Sequence, residues 1–181
     1  FDEILSVNKH NGEFKFNIVE LQNSTEGIGR GNFMVVFARP ETGKTAFWVS
    51  LVAKQNGFAW QGYKCHAFIN EEPAKRVQIR MVTACSDVTR KEVYNGSREL
   101  AQKQWANIEN NVFIHDKVDM TMEDLDTYCK DNEVDVLVID QLDKVNVVGK
   151  YNSSHEKLRE IYRQAREIAK RHSCVVIGMS Q

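Results

Sequence analysis

The sequence predicts an α/β fold, a mostly parallel β-sheet sandwiched between helices. Short strand-like apolar runs alternate with longer segments of helical periodicity along the 181 residues. The strand runs are continuously apolar, as strands covered on both faces must be. A third observation narrows the class: the first strand runs into a tight loop that ends Gly43-Lys44-Thr45 and then opens a helix.

Residues 1–30 are mixed and polar, with turn signals at Asn11-Gly12 and from Gly27 to Gly31; residues 1–26 are expected to form a lead-in packed on a core spanning 27–181. Val35, Val36 and Phe37 mark the first strand, and 46–54 reads as a helix with Val49, Val52 and Ala53 on one face. Residues 63–69 form the second strand, and Pro73 opens a helix over 74–85. Helical pattern continues over 90–107, but Asn95-Gly96 breaks it into two pieces, the second capped by Ser97. A short third strand (112–114) precedes a helix over 122–130 capped by Thr121, and 134–139 is the fourth strand. A long charged helix over 154–172 carries Leu158, Ile161, Ala165 and Ile168 on one stripe, and 174–179 closes as the fifth strand.

Composition excludes several classes. With 24 basic and 25 acidic residues there is no global cationic excess, so any nucleic-acid contact must come from local patches or an oligomer's combined field. Cys65, Cys85, Cys129 and Cys174 form no Cys-x-x-Cys pair and are expected as reduced core residues. No apolar run approaches the ~20 residues that cross a bilayer, and no signal peptide opens the chain. A cytoplasmic protein with no membrane partner is expected.

Chemistry concentrates at the strand ends. In the segment Ala38-Arg39-Pro40-Glu41-Thr42-Gly43-Lys44-Thr45-Ala46, backbone N–H groups at a helix N-terminus can cradle phosphate. Lys44 can reach the outer phosphates, and the Thr45 hydroxyl can complete the shell of Mg²⁺. Ala38 stands where the usual pattern has its leading glycine. In a parallel sheet, ligands sit at the carboxyl ends of the strands. The second strand ends at Asn70-Glu71-Glu72, the fourth at Asp140 and the fifth at Ser180-Gln181. The third ends at His115-Asp116, for which the sequence suggests no role. Asp140 can hold Mg²⁺ beside a phosphate loop, or serve simply as a turn or cap residue. Glu71, nearer the strand, suits a base that activates water, whereas both glutamates also suit the first turn of the next helix. Gln181 could bond a terminal phosphate, or could simply be the last residue of the strand end.

Together these strand ends resemble the ATPase domain of DnaB-like replicative helicases, within the RecA-like P-loop NTPases that also include bacteriophage primase-helicases. Ala38-Arg39-Pro40 with Glu41-Thr42-Gly43-Lys44-Thr45 is similar to that family's Ala-Arg-Pro-x-x-Gly-Lys-Thr. Ile69 to Pro73 resembles its Ser-Leu-Glu-Met-Pro segment, Leu137 to Asp140 its Walker B strand, and Met179-Ser180-Gln181 the Ser-Gln of its third motif. The resemblance implies Lys44 on the β- and γ-phosphates, Thr45 and Asp140 on Mg²⁺, Glu71 as catalytic base and Gln181 as γ-phosphate sensor. It implies ATP as the nucleotide and an ATP-dependent DNA helicase working on single-stranded DNA in DNA replication, as a hexameric ring, with primase as a further partner. The source would be a bacterium or a phage in its host's cytoplasm. The family's arginine finger follows its third motif, so the core is expected to be C-terminally incomplete at Gln181 and weakly active alone. A DNA-channel loop follows the family's Walker B strand, which makes Lys144, Lys150, Tyr151 and Asn152 candidate contacts. The same residues equally suit a solvated loop before a helix capped by Ser153 or Ser154. Another RecA-like ATPase, serving recombination or packaging, or an ATP-dependent assembly switch with little turnover, remains the alternative.

Overall fold

The apolar runs become β1 (Phe33–Phe37), β2 (Cys65–Ile69), β3 (Val112–Asp116), β4 (Val136–Ile139) and β5 (Val175–Ser180). In the computed structural model, which describes residues 12–181, they form one sheet in the order β1-β5-β4-β2-β3 with every neighbouring pair parallel. The expected parallel α/β sandwich is therefore the observed fold. Residues 1–11 of the expected lead-in lie outside the described residues.

The central strands show why continuous apolar runs form here. On β4, Val136 and Val138 face one core while Leu137 and Ile139 face the other, and all four are fully buried. The helices are α1 (Val19–Thr25), α2 (Lys44–Ala53), α3 (Ala74–Ser86), α4 (Arg90–Tyr94), α5 (Arg98–Trp105), α6 (Met122–Asp131) and α7 (Ser154–Arg171). Trp48 and Leu51 of α2 and Val77 and Met81 of α3 fill the first core. Leu125 of α6 and Ile161, Ala165 and Ile168 of α7 fill the second. Phe14 and Phe16, which precede the expected core boundary, are buried in the first core as well. Phe14 bridges Ile28 in antiparallel fashion, and its ring centroid lies 4.0 Å from that of Tyr63. All four cysteines are buried and free.

Local signals act largely as read. Thr121 and Asp124 form a capping box on α6, Ser153 caps α7 through the Glu156 N–H, and Gly96, with φ of 136°, separates α4 from α5. Ser97 is a correction: it stands at the start of α5, but its side chain makes no capping bond. Its φ of −90° and ψ of 19° leave the extended region from which a serine hydroxyl reaches the first-turn N–H groups. Asp116 takes up an unforeseen role at the end of β3, where its carboxylate accepts a hydrogen bond from the Ala74 N–H at the mouth of α3 (3.2 Å).

Candidate active site

The sheet order decides what can meet. From β1 across the carboxyl edge, the phosphate loop, Gln181 after β5, Asp140 after β4 and Glu71 after β2 follow one another. Helix α2 starts at Lys44, so Lys44, Thr45 and Ala46 form its first turn, with their N–H groups among those lacking intrahelical partners. Two left-handed residues shape the loop before it, Glu41 at φ 61° and Gly43 at φ 95°. A β-carbon at Gly43 would meet nothing within 4 Å, so the glycine answers a backbone requirement rather than a lack of space. The loop is braced from within. The Thr42 hydroxyl donates to the Arg39 carbonyl (2.6 Å), and the buried Lys44 ammonium donates to the Ala38 carbonyl (3.2 Å).

Thr45 and Asp140, 95 residues apart, meet: the Thr45 hydroxyl donates to Asp140 Oδ2 at 3.1 Å. Trp48, one turn along the same helix face, donates its indole N–H to the same oxygen at 3.1 Å. Burial pushes the Asp140 carboxyl above the usual carboxylate range, the Trp48 and Thr45 donors pull it down, the nearby Glu71 raises it and the Lys44 charge lowers it. This is a desolvated oxygen donor beside an alcohol oxygen, the hard donor set that suits Mg²⁺.

Neither Glu71 nor Glu72 enters the helix, since α3 begins at Ala74. They separate instead. Glu72 turns back onto α3 and pairs with Arg80 at 2.9 Å, while Glu71 faces the site, half-exposed and paired with Lys144 at 3.3 Å. Gln181 is exposed at the end of β5, and its backbone N–H donates to Asp143 Oδ2 at 2.8 Å.

Residues 14–181 match the family model of the DnaB-like helicase C terminal domain. The chain belongs to this family. It is 25% identical over 195 residues to the replicative DNA helicase DnaB of Buchnera aphidicola, covering 99% of this chain and 42% of that protein. Against DnaB of Geobacillus stearothermophilus the identity is 23% over 197 residues, covering all of this chain and again 42% of the relative. The chain thus spans less than half the length of these relatives. Two solved structures share its fold, each covering 99% of it. One is a DnaB-like replicative helicase described with its primase interactions (TM-score 0.76, 22% identity, 46% of that chain). The other is the ATPase domain of G40P (TM-score 0.78, 19% identity, 70% of that chain).

In this DnaB-like domain the four candidate nucleic-acid residues all lie on the segment between β4 and α7. Lys144 lies in a 3₁₀ turn (Leu142–Lys144) against Glu71. Lys150 is exposed, the Tyr151 hydroxyl donates to the Val148 carbonyl (3.0 Å), and the Asn152 N–H donates to Glu156 at the mouth of α7 (2.9 Å). Sequence reading missed Trp48 as an Asp140 partner, although its i,i+3 spacing from Thr45 was a usable signal. It also missed Gln141, which is left-handed at φ 62° and buried directly after Asp140.

Proposed function

We propose that this chain is the ATP-hydrolysing motor domain of a replicative DNA helicase that moves on single-stranded DNA within a homo-oligomeric ring, hexameric in the full protein, in the bacterial cytoplasm. Primase is a proposed further partner. The observation that carries the reading is the 3.1 Å bond from Thr45 to Asp140, which joins the phosphate loop to the end of β4.

The parts have distinct tasks. Lys44 and the free N–H groups of the first turn of α2 hold the phosphates of ATP. Thr45 and Asp140 hold Mg²⁺, which when bound would neutralise phosphate charge. Glu71 accepts the proton of the attacking water, and Gln181 bonds the terminal phosphate. The exposed side of this site is left for a neighbouring copy to complete.

Steady-state ATPase assays on the full protein test this directly. Single-stranded DNA is expected to stimulate turnover, and an equal rate with and without DNA would point to another RecA-like ATPase. Lys44→Ala should abolish ATP binding, whereas Glu71→Gln should bind ATP with near-normal affinity and lose turnover by roughly 10²-fold or more. Equal binding losses in both variants would remove Glu71 from the role of base.

A further inference from the structure

We infer that Lys144 is a positioning residue that restrains Glu71 until a nucleic-acid phosphate draws it away; the inference rests on the motor reading proposed above. The 3₁₀ turn Leu142–Lys144 touches both Glu71 and Gln181. Lys144 donates to Glu71 Oε1 at 3.3 Å, and its neighbour Asp143 accepts from the Gln181 N–H at 2.8 Å. Leu142 anchors the turn. It is fully buried and lies so close to β5 that a β-carbon on Gly178 would come within 2.5 Å of Leu142 Cδ2. Displacement of the turn is therefore felt at Glu71 and at Gln181 together.

The pair is built to exchange. The Lys144 and Glu71 side chains are 59% and 48% exposed, so solvent screens their attraction and a phosphate can compete for the ammonium. The approach is also favourable for phosphate: residues 144–153 hold two lysines and no acid, Lys150 is exposed, and Val148 projects into solvent. While Lys144 holds it, the Glu71 carboxylate is turned to the cation through Oε1. Once a phosphate takes Lys144, the carboxylate is free to turn to water. A single lysine would thus couple DNA occupancy to the base, with no contact between DNA and nucleotide.

The test compares Lys144→Ala, Lys144→Gln and Lys144→Arg in the full protein, measuring kcat and KM for ATP with and without oligo-dT. Expected for the Ala and Gln variants is a DNA-free kcat raised about threefold, the factor an exposed ion pair supports. The DNA-saturated kcat and the KM should stay unchanged, so the stimulation ratio falls by the same factor, and Lys144→Arg should restore the wild-type ratio. A wild-type ratio in both neutral variants, or a lowered DNA-free kcat, would overturn the inference. Glu71→Gln separates the two readings. If it turns over at the wild-type rate, the base assignment fails. If it is inactive while the neutral Lys144 variants keep the wild-type ratio, only the restraint fails.

Discussion

Trp48 is the residue whose role the geometry changes most. Fully buried in the first core, it also donates to Asp140 Oδ2, so the oxygen expected to face a metal is held by two donors from one helix. Trp48→Phe keeps most of the apolar volume and removes one of these donors. A hydrogen bond to a charged group contributes about 1.5–3 kcal/mol, so urea denaturation should show a loss of about 2 kcal/mol. Asp140 would also be less firmly oriented. The Mg²⁺ concentration needed for half-maximal ATP binding should rise, and an unchanged Mg²⁺ requirement alongside the stability loss would reduce Trp48 to a core residue.

At the scale of elements, β2, β3 and α6 are joined by a small polar network under the sheet edge. Tyr128 OH lies 2.8 Å from His66 Nδ1 and 3.0 Å from His115 Nε2, and His66 Nε2 lies 3.1 Å from the Glu133 carbonyl. Because that carbonyl can only accept, its partner nitrogen carries the proton. His66 Nδ1 then accepts from Tyr128, whose oxygen accepts from His115. This chain of bonds needs His66 neutral. Burial, the charges of His115 and Lys64 add to it, pushes His66 down to about 4 against the opposing Glu133 carbonyl and Asp135, and burial lowers His115 as well. In the unfolded chain histidine takes its proton near 6.5. Between pH 6.5 and about 4 the unfolded state therefore binds more protons, and stability is complete above this window and falls as pH is lowered through it. The loss should be about 3 kcal/mol, since His66 is buried. His66→Gln should flatten the urea midpoint between pH 6.5 and 4.5, whereas an identical slope would place the acid sensitivity elsewhere.

These elements also show what the sequence could and could not disclose. Local periodicity revealed every strand and the larger helices, because burial on both faces is written into neighbouring residues such as Val136 to Ile139. Strand ends were less legible where a side chain left the ladder for a distant partner: Asp135, inside the expected fourth strand, instead pairs with Arg30 and accepts from the Lys64 N–H. Strand order had no local signal at all. With it went the Trp48 bond to Asp140, spanning 92 residues, and the Lys144 pair with Glu71, spanning 73. The phosphate loop was readable because its strand, turn and helix are contiguous, and the Thr45–Asp140 meeting was expected from an apolar strand that ends in an acid beside such a loop, to which the family resemblance added.

At the scale of the whole molecule, the candidate site at the carboxyl edge of the sheet is open to solvent on one side. Arg39, Glu41, Glu71 and Gln181 are all exposed there, while Lys44 and Asp140 are buried behind them. If a neighbouring copy closes that side, as proposed, hydrolysis belongs to the interface and not to the chain. Two consequences follow from mass action. Turnover per chain should rise with protein concentration across the assembly range, where an isolated site would give a constant value. Mixing should be more telling. Lys44→Ala subunits, unable to hold nucleotide, still present an intact outer surface to their neighbours, so in a ring whose sites act in sequence each inactive subunit should silence more than itself. ATPase measured at fixed total protein, with the variant fraction raised stepwise, should fall below the straight line that independent sites would give. A strictly linear decline, together with turnover independent of concentration, would mean that one chain carries a complete site and that the open edge serves another purpose.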